Sequence, residues 1–459
     1  MARLATALLL AGVPVSAVGQ KAILEKMLHT RTLENGLQVI VVKNSTVPFA
    51  TVEMVVRTGA FTQSSPAELG LPHLIEHLLF RQGDEGGESS FQRDLNKIDA
   101  SSNGVTSSEA VRYYLTFPSK HIEKGIELMS ELVRKPDFSN GAMDMERRIV
   151  RGELQRKAAE PLFLLMLESD RLLWTDAGWH RKNPGGNVLA LNAATSDQLK
   201  AMYNKYYVPN NAALIVAGDV SETQVFDVAT KVFRGWKRGD DPFASFSPPV
   251  IPPLTSIRRG LVNGEVQDVT FLVRWQGPSV GKDPASTYAA DVFSGLVNQP
   301  LSGTQRRLID GGHFQSVGMS YETENHVGPI ELYATTTPDK AVAAAAALGA
   351  ELSKLVAPDY FTADDLVLAK KRQRIGAQFR LELASVFAHS LAEMWSSAGL
   401  DYYMGYDDNL EEQTADDIRR FVQTYLTGKP MTVNVLLSPT ARQSVGTALN
   451  SALAAWRVP

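Results

Sequence analysis

The sequence contains no cysteine, and that absence limits the chemistry open to the chain. Disulfide bonds cannot form, and no thiolate is present to bind a metal. Any metal site must therefore be built from histidine and carboxylate side chains. Because proteins of either a reducing or an oxidising compartment can lack cysteine, the absence does not decide localisation.

Long apolar runs and an excess of basic charge are also missing. No stretch after the N-terminus reaches the roughly 18 apolar residues that a membrane-spanning helix needs. The 46 lysines and arginines are outnumbered by 50 aspartates and glutamates, which gives a formal net charge of −4. Such a chain offers no basic field to a phosphate backbone, so neither nucleic-acid binding nor a membrane span is expected.

The first 17 residues are typical of a secretory signal. Arg3 is followed by an apolar run from Leu4 to about Val13 and by small residues that end at Ala17. This pattern predicts a signal peptide at 1–17 and a soluble, exported protein, periplasmic if the source is a bacterium. Because only one basic residue precedes the apolar run, an ordinary buried N-terminal segment is the alternative.

The chain is predicted to consist of two similar halves. Its 459 residues exceed what one hydrophobic core usually supports. The proline-rich stretch 240–253 is interpreted as a linker between domains at 31–239 and 254–459. Similar strand-like segments end at Gly59 and Gly277, and similar apolar runs follow Tyr207 and Tyr425, in both cases 218 positions apart. A repeated spacing of this kind indicates duplication.

Each half mixes strand-like and helix-like patterns. In the first half, period-two apolar patterns predict strands at 37–42, 50–57, 111–117 and 212–218. Helical patterns occur at 72–81, 119–135, 140–158 and 196–206. The predicted fold class is therefore α+β, with two homologous half-domains, each a mostly antiparallel sheet with helices packed on one face.

The most informative segment is the predicted helix that begins near Leu71. Pro72 is tolerated only in a first helical turn, and it places His73 directly after the helix start. In a helix, His73 and His77 lie on one face with Glu76 beside them, so the two imidazoles can share one zinc ion. The other faces are apolar: Leu74, Ile75, Leu78 and Leu79. A buried histidine pair needs a partner, and a metal supplies one; two satisfied core histidines beside a surface glutamate are the alternative.

A catalytic zinc ion usually takes three protein ligands, so a third must come from elsewhere. The predicted helix at 140–158 offers Glu146 and Glu153, seven residues apart on one face. One can bind the metal while the other accepts a hydrogen bond from a ligand histidine. Pairing of these carboxylates with neighbouring arginines on a solvated helix is the alternative.

These residues resemble those of the pitrilysin/insulinase family of zinc peptidases, the inverzincins, whose motif is H-x-x-E-H. The third ligand in that family is a glutamate about 76 positions after the second histidine, and Glu153 stands 76 positions after His77. The resemblance covers most of the first half in order, and the size matches small bacterial members and the beta subunit of mitochondrial processing peptidase. It implies that His73, His77 and Glu153 bind one zinc ion per chain, with Glu76 as general base and Glu146 as an orienting group.

The resemblance also implies where a peptide substrate binds. Family members hold peptides in extended form along a sheet edge, and the matching segment here contains Ser102, Asn103 and Gly104. An ordinary edge strand with a turn at Asn103-Gly104 is the alternative.

The second half is expected to lack a metal site. At an offset of 218, the first-half metal residues fall on Asp291, Ser294, Gly295 and Lys371, of which only Asp291 could be a ligand. The family places an arginine and, seven residues later, a tyrosine opposite the zinc ion. After Arg307, the tyrosine position is occupied here by Phe314 or Gln315, depending on a one-residue gap.

These patterns support three functional hypotheses. The first is an exported zinc endopeptidase acting on peptides or unfolded chains, paired with a related subunit that lacks the zinc motif and supplies the arginine and tyrosine. The second is a noncatalytic scaffold or assembly protein of the same fold, which would not need the general base Glu76. The third is a single-chain peptidase in which another residue, such as Tyr321, replaces the missing tyrosine.

Overall fold

The computed structural model describes residues 20–81, 90–178, 184–247 and 250–458. The predicted signal at 1–17 lies outside these described residues, as do positions 248 and 249 of the predicted linker. Among the described residues, none of the helices combines the length and the apolarity needed to cross a bilayer.

The strands form two sheets. The strands of the first sheet are β1 Leu28–Thr32, β2 Gln38–Lys43, β3 Phe49–Val56, β4 Ser101–Thr106, β5 Val111–Pro118 and β6 Ala212–Gly218. The strands of the second sheet are β7 Arg258–Asn263, β8 Val269–Gln276, β9 Ser316–Tyr321, β10 Pro329–Thr336 and β11 Thr432–Leu437.

Helices surround both sheets. The helices of the first part of the chain are α1 Gln20–Met27, α2 Leu71–Leu79, α3 Ser90–Lys97, α4 Ile122–Arg134, α5 Asn140–Ala158, α6 Pro161–Gly178, α7 Val188–Ala193, α8 Ser196–Tyr206 and α9 Glu222–Phe233. The later helices are α10 Pro284–Asn298, α11 Gly303–Gln305, α12 Ala341–Leu352, α13 Ala363–Glu382, α14 Ala384–Ser397, α15 Leu400–Glu412, α16 Ala415–Tyr425 and α17 Pro439–Ala454. Short 3₁₀ turns lie at Ala60–Thr62, Pro66–Glu68, Ser119–His121 and Pro209–Asn211.

The strand orders confirm two similar halves. The first sheet has the order β1-β2-β6-β3-β5-β4 and the second has β7-β11-β8-β10-β9. If β1 is left aside, the two orders correspond strand for strand. The pairs β2–β6 and β7–β11 are parallel and the other pairs are antiparallel. The predicted mixed fold with mostly antiparallel sheets is therefore confirmed.

The helix predictions are close to the observed bounds because capping residues mark the ends. Ser139 accepts a hydrogen bond from Ala142 N and begins α5, and Thr195 forms a capping box with Gln198 at the start of α8. The predicted helix at 119–135 is shorter, because Ser119–His121 form a 3₁₀ turn before α4.

Each half also contributes a helix that covers the outer face of the other half's sheet. The prediction had placed helices on only one face of each sheet. Helix α14 packs on β3 and β6 of the first sheet, where Phe387 and Leu391 meet Ile215. Helix α6 packs on the second sheet, where Leu165 meets Leu272. Because both faces of β3 and β6 are covered, nearly all their residues are buried, whereas β5 alternates. The domain boundaries at 31–239 and 254–459 stay a prediction.

Candidate metal centre

Helix α2 carries the two predicted histidine ligands on one face. It begins at Leu71, as predicted, with Pro72 in the first turn. Gly70 precedes it with φ of +78°, a left-handed conformation that glycine adopts without strain. The rings of His73 and His77, four residues apart, meet edge to face with centroids 4.8 Å apart. The i,i+4 spacing thus brings both imidazoles to one point.

Helix α5 brings the carboxylate of Glu153 to this point. Its Oε2 lies 3.6 Å from His73 Nε2 and 3.5 Å from His77 Nε2. These distances are longer than normal hydrogen bonds. They match the separation of roughly 3.4 Å expected between two ligand atoms that each lie about 2.1 Å from a tetrahedral zinc ion. Among the described residues, these three form the group with metal-binding geometry, and they fit zinc with a fourth position left for water.

Further side chains hold two of the three ligands in place. Glu146 Oε2 lies 2.9 Å from His77 Nδ1, and Glu146 Oε1 accepts a hydrogen bond from Arg81. Lys157 Nζ lies 2.7 Å from Glu153 Oε1 and leaves Oε2 facing the histidines. Glu146 thus contacts the ring nitrogen of His77 that faces away from Glu153, and its orienting role stays a prediction.

The pKa values in the metal-free protein are strongly perturbed. Burial lowers the pKa of His73 to about 4. Burial also lowers the pKa of His77, but the hydrogen bond to Glu146 and the nearby carboxylate of Glu153 outweigh it and raise the pKa to about 9. The adjacent imidazole of His77 and the ion pair with Lys157 hold the pKa of Glu153 well below its usual value. A metal ion that binds at neutral pH must therefore displace a proton from His77.

Glu76 lies beside the histidines and is almost completely buried, with 7% of its surface exposed. Thr106 Oγ1 donates a hydrogen bond of 2.5 Å to Glu76 Oε2. Burial raises the pKa of Glu76, and the hydrogen bond from Thr106 opposes that shift. A carboxylate with a raised pKa accepts a proton more readily, which suits a general base.

The predicted substrate edge lies directly against Glu76. Strand β4, which contains Ser102 and Asn103, pairs with β5 and ends the described sheet. A Cβ atom on Gly104 would lie 2.7 Å from Glu76 Oε1, so any larger residue there would force the Glu76 side chain to move. Asn103 and Gly104 are inside the strand, and the alternative of a turn at these residues is wrong.

Three residues of this site were not predicted from the sequence. For two of them, the spacing from a predicted ligand could have indicated the contact. Arg81 and Lys157 follow His77 and Glu153 by four residues, which is the spacing of neighbours on one helix face. Thr106 was harder to predict: the sequence shows only that it lies two residues after Gly104 and so on the same face of the strand.

The residues after α10 do not present an arginine and tyrosine pair. Arg307 forms a bidentate ion pair with Glu351: Nε donates to Oε2 at 2.6 Å and Nη2 donates to Oε1 at 2.7 Å. Phe314 is buried in the core of the second half against Phe271. Gln315 donates to Asp268 at 3.3 Å. The side chains at both candidate tyrosine positions therefore make their contacts within the second half.

Two other second-half residues named from the sequence are also engaged locally. Asp291 lies on α10, where it accepts a hydrogen bond of 2.6 Å from Tyr406. Tyr321 OH donates to Pro278 O at 3.1 Å. The hydroxyl of Tyr321 thus donates its hydrogen bond to another residue of the second half.

Replacement of Glu146 by glutamine is expected to weaken zinc binding by about 10- to 100-fold, the usual effect of losing a partner of a ligand histidine. The substitution removes the negative charge that orients His77 and leaves all three ligands in place. Zinc affinity can be measured by competition with a chelator.

Asp144→Asn on the same helix is the matched control, because Asp144 is an exposed carboxylate that pairs with Arg147. A loss of zinc in Glu146→Gln as complete as that in Glu153→Ala would mean that the roles of the two glutamates are reversed.

Two family models match the chain in succession. The model described as "Insulinase (Peptidase family M16)" matches residues 38–184, which include α2 and α5. The model described as "Peptidase M16 inactive domain" matches residues 193–373. The metal-centre residues therefore fall in the first match.

Two curated relatives are similar in sequence. An uncharacterized zinc protease of Rickettsia felis is 20% identical over 392 residues, which cover 84% of this chain and 92% of that protein. A probable mitochondrial-processing peptidase subunit beta of Arabidopsis thaliana is 22% identical over 285 residues, which cover 61% of this chain and 51% of that protein. The chain thus spans nearly all of the first relative and about half of the second.

Two solved structures share the fold. A protease from Helicobacter pylori superposes with a TM-score of 0.79 at 22% identity, covering 89% of this chain and 99% of that one. The first half of the periplasmic protease PqqL from Escherichia coli has a TM-score of 0.73 at 16% identity, covering 94% of this chain and 97% of that one. These structures show the fold, and the two family models, which together match residues 38–184 and 193–373, confirm the resemblance inferred from the residues: the chain belongs to the pitrilysin/insulinase family, peptidase family M16.

Proposed function

We propose that this protein is a zinc-dependent endopeptidase that hydrolyses peptides or unfolded polypeptides. The observation that carries the proposal is the buried carboxylate of Glu76 between the His73, His77 and Glu153 cluster and the edge strand β4. A metal, a proton acceptor and a binding edge for an extended chain are what peptide hydrolysis requires.

The side chains of this site have distinct roles in the proposed reaction. His73, His77 and Glu153 hold the zinc ion, which supplies a Lewis acid that lowers the pKa of water and polarises a carbonyl group. Glu76 takes the proton from the attacking water and later passes it to the leaving amine. Thr106 holds Glu76 in position through its hydrogen bond.

The substrate is proposed to add to the edge of β4 as an extended strand. Main-chain hydrogen bonds along this edge would give affinity that depends little on side chains. The contact between Gly104 and Glu76 would place the peptide backbone next to the general base.

A noncatalytic scaffold of the same fold is less well supported. A structural zinc site normally fills its fourth position with a protein ligand and has no need of a general base. Here Glu76 is buried, carries a raised pKa and is held by Thr106. A buried carboxylate next to the three possible ligands and beside the edge strand is placed as a general base would be, and this position favours catalysis over a scaffold role.

A second, related subunit is proposed to complete the active site. The Arabidopsis relative is named as a subunit, which supports an assembly of this kind. In this chain Arg307 is bound to Glu351 and Phe314 is buried, which supports a partner chain as the source of the family's arginine and tyrosine pair. The partner would lack the zinc motif.

Export to the periplasm is proposed from the signal-like sequence at 1–17. The solved structure of PqqL, described as periplasmic, supports this location for a protein with the same fold.

The Glu76→Gln protein tests the proposed reaction. It is expected to keep its zinc ion but to lose about 10²-fold in turnover of an unfolded polypeptide, because a proton acceptor is removed and no ligand is changed. Turnover is measured with a fluorogenic peptide mixture, with the metal content of the same sample measured in parallel.

Glu131→Gln is the matched control, since Glu131 lies on the exposed side of α4 and pairs with Lys135. Equal turnover in Glu76→Gln and the control would reject the role of Glu76. A wild-type protein that holds zinc and cleaves nothing, even with its partner, would favour the scaffold.

A further inference from the structure

The two sheets differ at one edge, although their other strands correspond. In the first sheet, β1 pairs with the outer side of β2, whereas β7, the strand that corresponds to β2, ends the described part of the second sheet. The first residue of each strand contacts the helix from the other half. Gln38 accepts a hydrogen bond from Trp395 of α14, and Arg258 donates one to Leu172 O of α6. Strand β7 therefore has the position of β2 but lacks a neighbour like β1.

Strand β7 has main-chain groups that point away from the sheet. The N–H group of Arg258 donates to Met431 O, next to β11. Because successive residues of a strand point their main-chain groups to opposite sides, those of Arg259 and Leu261 point away from β11. Leu261 O accepts a hydrogen bond of 3.2 Å from the exposed side chain of Arg442. In the described part of the chain, β7 pairs with β11 alone.

A groove of about 550 Å³ lies beside this edge, between β7 and α6. Its lining consists of four apolar side chains and one ion pair: Leu164, Leu167, Leu261 and Val262, with Glu168 and Arg171. Arg171 binds both carboxylate oxygens of Glu168, at 2.8 and 2.9 Å, so the pair adds no net charge to the lining. The groove is therefore suited to an apolar side chain.

The corresponding space in the first half is filled by Leu28 of β1. Leu28 lies opposite Val42 and is buried in a cluster that also contains Phe387 of α14. Val42 and Val262 are the fifth residues of β2 and β7, so the groove lies where a leucine opposite Val262 would be placed. Such a side chain would be removed from water, and that burial is favourable.

The other face of this edge, toward α17, is basic. Arg259 donates a hydrogen bond to Leu453 O, and Arg442 donates one to Leu261 O. Among the described residues, neither guanidinium forms an ion pair with a carboxylate. Because a carboxylate is the group that a guanidinium binds best, acidic side chains on this face would favour an added strand.

We propose that β7 binds an extended segment of another protein as an additional antiparallel strand. The segment places a leucine or similar apolar side chain in the groove and acidic side chains against Arg259 and Arg442. Main-chain hydrogen bonds to Arg259 and Leu261 hold it, and Arg442 moves from Leu261 O to a carboxylate of the segment. This interaction does not depend on the proposed peptidase activity.

A strand from a second copy of this chain fits the edge less well. In the register of β1 on β2, His29 lies opposite Val41 and Arg31 lies opposite Val39. A β1 strand added to β7 in that register would place Arg31 opposite Arg259, and like charges directly opposite each other in a sheet are unfavourable. The charge of the edge therefore favours an acidic partner.

Peptide binding to the full-length protein tests the proposal without turnover. Three peptides with blocked ends, based on residues 26–33, are titrated by calorimetry. The acidic peptide has glutamate in place of His29 and Arg31, the serine peptide also has serine in place of Leu28, and the third keeps the natural sequence. The acidic peptide is expected to bind at least about tenfold more tightly than either of the others, because only it combines the apolar side chain with the carboxylates.

Two substitutions locate the binding site. Leu164→Ala should weaken binding of the acidic peptide by about five- to tenfold, because it removes part of the groove wall. Leu162→Ala is its matched control, since Leu162 is on the same helix, is 51% exposed and is outside the groove lining. Arg442→Gln should weaken the acidic peptide by about two- to fivefold, the effect of one exposed ion pair. Its control is Arg420→Gln on α16, where Arg420 pairs with Asp417.

Equal binding of the three peptides overturns the proposal, and so does equal binding of the acidic peptide by Leu164→Ala and Leu162→Ala. Tightest binding of the natural-sequence peptide would also overturn it, and would identify a second copy of this chain as the occupant. Circular dichroism shows whether each variant is folded. If Leu164→Ala is unfolded, Leu167→Ala on the same wall takes its place.

Discussion

The His73→Ala protein is expected to contain no bound zinc and to hydrolyse no peptide, whereas the wild-type protein should contain about one zinc ion per chain. The two histidines and Glu153 are separated by the distances of a tetrahedral site, so removal of one leaves too few ligands. His77→Ala and Glu153→Ala should give the same result. Metal content by mass spectrometry and cleavage of an unfolded polypeptide measure both effects.

His121→Ala is the control for this experiment, because His121 lies in the 3₁₀ turn before α4 and does not belong to the cluster of His73, His77 and Glu153. Circular dichroism and thermal melting show whether each variant is folded. Stoichiometric zinc in a folded His73→Ala protein would contradict the metal site. Zinc loss with unchanged cleavage would contradict the zinc-dependent reaction.

Addition of the proposed partner is expected to raise the turnover of this chain by roughly 10²- to 10³-fold, the effect of one hydrogen-bond donor to a developing oxyanion. The chain alone should fold and bind zinc, yet cleave poorly, because Phe314 is buried and Arg307 is held by Glu351. The candidate partner is a related chain without the H-x-x-E-H motif that carries an arginine and, seven residues later, a tyrosine. Cleavage is measured for each chain alone and for the mixture.

The control for the partner experiment replaces the partner's tyrosine with phenylalanine, which should remove most of the gain without changing the zinc content. Full activity of this chain by itself would refute the division of labour. It would leave the peptidase assignment in place and favour a single-chain mechanism.

Local patterns in the sequence determined the elements that carry the metal centre. Pro72 and the apolar residues of α2 set the start and the buried faces of that helix, so the spacing of His73 and His77 was sufficient to place both rings on one side. Ser139 and Thr195 mark helix starts through hydrogen bonds to residues three positions away. Such interactions depend on neighbours in the chain, which is why they can be predicted from sequence.

The role of each glutamate on α5 was not determined by its sequence. Glu146 and Glu153 lie on one face, and only the packing of α5 against α2 brings Glu153 to both Nε2 atoms and Glu146 to His77 Nδ1. The family spacing pointed to this order, but helix geometry alone left it open. Contacts between helices depend on how their surfaces pack, and spacing within one helix carries no information about that.

The contacts between the halves were decided by the tertiary structure alone. The sequence predicted two similar halves, and the corresponding strand orders confirm them. It gave no sign that α14 covers the first sheet, that α6 covers the second, or that Glu109 contacts His326. These contacts join residues that are far apart in the chain, and no periodic pattern in a single sequence records which distant surfaces bury one another.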